Sequence, residues 1–120
     1  MDHSTGCNCP VSATLDLIGG KYKALVLWHL TDATLRFGEL RRRIPQATPK
    51  MLTQQLRELE NAGLVVRKVY PVVPPKVEYS VSVFGKSIQP ILEAMYAWGT
   101  EYLRDSGLEV NCSMAAPGAK

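Results

Sequence analysis

The clearest pattern in the chain lies at residues 48–63, TPKMLTQQLRELENAG, where leucines recur at 52, 56 and 59 within a polar run. At about 100° per residue these three share one stripe, so the spacing predicts an amphipathic helix over 48–62 with the stripe in the core. Its ends are marked as well. Thr48 suits the N-cap, Pro49 fits the first helical position, and Gly63 suits the left-handed position just past the C-terminus.

Other segments follow different rhythms. PVSATLDLIG (10–19) reads as a short helix opened by Pro10 and stopped at Gly19-Gly20. Residues 21–30 are apolar nearly all round, with Leu25, Leu27, Trp28 and Leu30, which predicts a buried helix. TLRF (34–37) reads as a short extended piece, GELRRRI as a third helix, and PQAT as a turn. LVVRKVY (64–70) and VEYSVSV (77–83) are dense in β-branched residues and predict a hairpin. The PVVPPK between them cannot continue a ladder, because proline lacks the donor. From about Val83 to Arg104 the pattern is helical again, and Pro90 should kink that run or divide it in two. Two helices joined by a short turn and followed by a hairpin predict a mainly α fold with a small β-wing, a winged helix-turn-helix.

The polar side of the 48–62 helix is unusual. Lys50, Gln54, Arg57 and Asn61 lie opposite the leucines with Thr53 on the shoulder, and the acids Glu58 and Glu60 come only later. Thr, Lys, Gln and Arg are the side chains that bond phosphates and base edges, although a solvated face with no partner has the same composition. Charge distribution favours the first reading. Residues 36–76 hold nine basic and three acidic side chains, +6, whereas the whole chain carries only +3. A basic middle in an acidic frame suits a polyanion-binding module. On the hairpin, Arg67, Lys68 and Lys76 place cations for a DNA backbone or minor groove.

With 120 residues the chain is expected to form one domain over 10–105, with a flexible arm at 1–9 and a flexible tail at 106–120. No apolar run approaches the roughly 20 residues needed to span a bilayer, and the N-terminus lacks a basic segment followed by an apolar one. A cytoplasmic location is expected. The apolar face of 83–104 is wider than one contact needs, which suggests dimerisation through the terminal helices. Leu15, Ile18, Ile88, Ile91, Leu92, Met95, Trp98 and Tyr102 are the candidates for that surface. The aromatic residues Trp28, Tyr96, Trp98 and Tyr102 serve either as core or as the wall of an effector pocket.

Six segments in this order and spacing resemble the HxlR-type winged-helix regulators, a MarR-like branch. They are CPV (9–11), LDLIGGKY (15–22), RFGELRRRIP (36–45), KMLTQQLRELENAGLV (50–65), VYPVVPPKVEYSVS (69–82) and AWG (97–99). Linked motifs over residues 9–103 are far more specific than any one of them alone. The resemblance implies a homodimeric transcription regulator, a repressor, that binds an inverted repeat in double-stranded DNA. It also implies that Arg41, Arg42 and Arg43 buttress the turn and touch backbone. Thr48, Pro49, Lys50, Thr53, Gln54 and Arg57 would then enter the major groove.

The three cysteines, 7, 9 and 112, lie outside the expected core. Cys9 precedes Pro10 and so sits at a helix N-terminus, where the dipole and free N–H groups favour thiolate. It also matches a cysteine that the resemblance associates with sensing electrophiles or oxidants. An inert thiol remains the alternative, as does a disulfide from Cys9 to Cys7 or Cys112, within or between subunits. A zinc site from Cys7, Cys9 and His3 or Cys112 is not expected, since structural sites prefer two to four residues between cysteines. Nor does the chain announce a cofactor or an enzyme. His29 falls in the buried second helix, where a hydrogen-bonded structural role is expected, and no phosphate loop or nucleophile-base pair is evident. Two rivals to a DNA-binding regulator remain: a winged helix used only for protein contact, and a small thiol redox enzyme, which would lack a Cys-x-x-C motif.

Overall fold

The computed structural model describes residues 8–110. Six helices and one hairpin follow each other as α1 (Pro10–Ile18), α2 (Lys23–Leu30), α3 (Phe37–Arg43), α4 (Pro49–Asn61), β1 (Val65–Tyr70), β2 (Lys76–Val81), α5 (Val83–Lys86) and α6 (Gln89–Asp105). The expected elements are all present, and the run containing Pro90 is divided. α5 stops at Lys86, and Pro90 stands in the first turn of α6, where its missing N–H costs nothing.

The ends of α4 form as the sequence predicts. Thr48 Oγ1 accepts the Met51 N–H at 3.1 Å. Gly63 takes φ +81°, and Leu64 N–H closes onto the Leu59 carbonyl at 3.0 Å, a Schellman ending that turns the chain directly into β1. Leu52, Leu56 and Leu59 are buried. They meet Val26, Leu27, Leu30, Leu40 and Ile44 in one core that also takes Ile18, Leu35, Leu64, Ile88 and Leu92.

Polar contacts fix how α4 sits on α2. Gln55 Oε1 accepts the Tyr22 N–H at 3.0 Å, and Tyr22 Oη donates to the Gln46 carbonyl at 3.0 Å. Lys23 Nζ pairs with Glu58 Oε1 at 2.8 Å. A side chain at Gly20 would meet Gln55 Oε1 at 2.5 Å, so any larger residue there would press on the Gln55 amide that holds Tyr22.

β1 and β2 pair antiparallel from Val65↔Val81 to Tyr70↔Lys76. The extended piece around Leu35 adds a single bridge, with Leu35 and Tyr79 exchanging backbone bonds of 3.0 and 2.8 Å. The wing is thereby tied to the segment that opens α3.

Three residues expected on a dimer surface belong to the core instead. Ile18, Ile88 and Leu92 are buried within the protomer. α6 carries two apolar stripes: Ile88, Leu92, Tyr96 and Leu103 turn inward, while Ile91, Met95, Trp98 and Tyr102 stay outside, with Trp98 72% exposed. Leu15 on α1 is exposed too, as is Val11.

Candidate nucleic-acid interface

The outer face of α4 forms one wall of a groove of about 580 Å³ lined by Phe37, Pro49, Lys50, Thr53, Gln54 and Arg57. A second hollow, about 340 Å³, lies between α4 and the wing and is lined by Thr53, Leu56, Arg57, Glu60, Arg67 and Tyr79. Thr53 and Arg57 border both. Five of the α4 residues read from sequence, together with Arg67, therefore fall on one continuous surface. Thr48 stands at its edge, with its hydroxyl occupied in capping the helix.

Neighbouring acids are partly neutralised. Glu58 accepts from Lys23 at 2.8 Å and from Gln54 Nε2 at 3.2 Å, and these two contacts hold its carboxyl below the usual range. The first half of α4 is left electropositive, and the Gln54 amide, with one N–H on Glu58, keeps its second N–H and its Oε1 for a base.

On the wing, the Lys68 and Lys76 ammoniums each lie 4.9 Å from the centre of the Tyr70 ring. Tyr70 Oη donates to Glu78 at 2.9 Å, and Lys76 Nζ lies 3.3 Å from the same carboxylate. The bond from Tyr70 is the largest cause of a lowered Glu78 pKa. Stacking on one ring gathers two cations at the base of the Pro71–Pro75 loop.

None of the three arginines of α3 lines either hollow. Arg42 and Arg43 line a separate cavity on the side of α2 and α6, with Arg43 close enough to His29 to affect its charge. Arg41 is exposed. Phe37 and Tyr79 were not legible as site residues: Phe37 looks like a core aromatic, and Tyr79, on β2, meets α4 only through tertiary packing. Arg36 was legible as part of the basic stretch, and its N–H donates to Glu39 at 2.8 Å to start α3.

Cys9 is the N-cap residue of α1 and is fully exposed. Its thiol closes no formed capping bond, yet it lies beside the Ser12 and Val11 N–H groups, which draw its pKa below that of an ordinary thiol. Cys7, Cys112 and His3 lie outside the described residues, and so do the disulfide and zinc arrangements that would need them. Among the described residues no cluster of His, Cys, Asp or Glu converges as a metal site, and no helix is long and apolar enough to cross a membrane.

The family model for the HxlR-like helix-turn-helix matches residues 17–107. The chain belongs to that family. HxlR-like relatives include the "uncharacterized HTH-type transcriptional regulator YdeP" of Bacillus subtilis, 52% identical over 94 residues that span 78% of this chain and 73% of the relative. Among solved structures, redox regulator HypR in its oxidized form is 53% identical with a TM-score of 0.75, covering 78% of this chain and 96% of HypR. Its reduced form is 51% identical with a TM-score of 0.76, covering 82% and 96%. This HxlR-like chain is accordingly a transcriptional regulator on a winged helix-turn-helix, and not an enzyme.

Proposed function

We propose that the protein is a homodimeric, sequence-specific DNA-binding repressor that sets one α4 in each of two neighbouring major grooves of an inverted repeat. The carrying observation is the continuous surface of Lys50, Thr53, Gln54, Arg57 and Arg67 formed by α4 and the wing. Gln54 suits adenine, and Arg57 or Lys50 suits guanine or a phosphate. Lys68 and Lys76 supply phosphate contacts from the wing. Arg41, exposed and not lining the α2–α6 cavity, is the α3 cation that suits backbone contact. Two-fold symmetry calls for half-sites about one helical turn, roughly 34 to 36 Å, apart.

Fluorescence anisotropy tests this reading with reduced protein, the DNA upstream of its own gene and a scrambled duplex, across a salt series. Tight binding to the first alone is expected, with log affinity falling linearly as log salt rises. Arg57→Ala should weaken the specific complex by about 1 to 3 kcal/mol, and Lys68→Ala should weaken both complexes while reducing the salt slope by about one. Equal and weak binding to both duplexes, insensitive to Arg57→Ala, would favour a winged helix that contacts only protein.

Control through Cys9 is the second part of the proposal. It is supported by the exposed thiol at the α1 N-terminus, by its lowered pKa, and by the likeness to a protein described as a redox regulator. Diamide or a quinone should lower the DNA affinity of the wild type at least tenfold, with Cys7 or Cys112 as the partner thiol under diamide. Cys9→Ser should not respond; an unchanged response in that variant would remove Cys9 from the mechanism.

A further inference from the structure

A cavity of about 520 Å³ opens between α2, the end of α3 and α6, away from the α4 groove. Leu25, Met95, Tyr96 and Leu103 give it an apolar lining, and His29, Arg42 and Arg43 add polar and cationic groups.

His29 gives this cavity its meaning. The residue is only 2% exposed, and its Nδ1 has no hydrogen-bond partner. The expectation of a hydrogen-bonded structural histidine is therefore corrected at that atom. Trp28 Nε1, beside it on α2, is also buried without a partner, and Trp28 lines an adjoining hollow of about 340 Å³ that shares Leu25, Met95 and Tyr96 with the first. Buried polar atoms in proteins almost always find a partner. Water alone would serve a ring nitrogen, but water has no use for an apolar lining of this extent with the Arg42 guanidinium beside it.

We propose that this cavity binds a small organic acid, a carboxylate on an apolar body. The carboxylate would accept from Arg42 and from a His29 N–H, since a guanidinium pairs with carboxylate geometry better than any other cation. The apolar body would lie along Leu25, Tyr96 and Leu103. The volume falls within the range of small-molecule sites, and a few placed polar groups in a mostly apolar pocket are the usual pattern of such sites. The site is independent of the DNA-binding proposal, because it shares no α4 residue with it.

The full-length protein, labelled with ¹⁵N and ¹³C, is titrated with octanoate and in parallel with 1-octanol. Octanoate is expected to give saturable shifts at the His29 imidazole and at the Tyr96, Thr100 and Leu103 amides, with 1-octanol at least tenfold weaker. Two variants locate the site. A side chain at Gly99 meets no atom within 4 Å, so Gly99→Phe should fold normally and fill the cavity, abolishing the shifts. Arg42→Gln, at an exposed position, should weaken octanoate at least tenfold and leave 1-octanol unchanged. Equal affinity for octanoate and octanol, shifts that persist in Gly99→Phe, or no saturable binding at all would each overturn the proposal.

Discussion

Replacing Trp98 with glutamate is expected to break the proposed dimer into monomers and to lower operator affinity by a factor of about 10² to 10⁴, the gain that linked binding sites provide. Trp98 belongs to the outer stripe of α6 with Ile91, Met95 and Tyr102, and it stacks on Tyr102 at 5.7 Å between ring centres. Val11 and Leu15 on α1 are further exposed apolar residues. An exposed patch of this kind on a small domain is typical of a contact between copies. A carboxylate placed within it must either lose its water or face its symmetry mate, and both oppose association. Because Trp98 contributes nothing to the buried core, the protomer should stay folded. Sedimentation equilibrium and circular dichroism on the variant separate these effects. A folded variant that remained dimeric would remove the α6 stripe from the interface.

The same helix shows where sequence reading ran short. Periodicity found α6 and marked both of its stripes as apolar, but a helix with apolar residues on two adjoining faces does not say which face meets its own core. Ile88 and Leu92 therefore looked as available as Ile91 and Met95. Ile18, at the end of α1, had the same ambiguity. Where one face was polar and one apolar, as in α4, the pattern left no choice, and Leu52, Leu56 and Leu59 went inward as expected. Thr48, Gly63 and Pro90 were legible because their backbone chemistry is local. Gln55 was not, because its role depends on Tyr22, 33 residues away. Within the candidate site, the α4 side chains could be read from one face of one helix. The companionship of Arg57 with Arg67, and the separation of Arg42 and Arg43 from both, depend on how elements pack, which no local spacing records.

Acidification from pH 6.5 to pH 4 should remove about 3 kcal/mol of folding stability through His29 alone. Burial, assisted by the charge of Arg43, lowers the His29 pKa from 6.5 to about 4. In the unfolded chain the imidazole takes up a proton as the pH falls through 6.5, whereas the folded protein resists until about pH 4. Between those values the unfolded state binds more protons, so stability falls as pH falls and levels off once both states are protonated. At about 1.4 kcal/mol for each pH unit, the gap between 6.5 and about 4 gives that loss. Lowered carboxylates act in a different window: Glu58 and Glu78 contribute stability that is lost below about pH 4.5, where the unfolded carboxylates take up protons before the folded ones do. Urea unfolding from pH 7 down to pH 4.5 therefore reports chiefly on the histidine. His29→Leu should flatten that part of the profile, since an apolar replacement leaves neither a charge to bury nor a nitrogen without a partner. An equally steep profile in His29→Leu would place the titrating group elsewhere, whereas a flat one would identify His29 as the group that couples acid to the packing of α2 against α6.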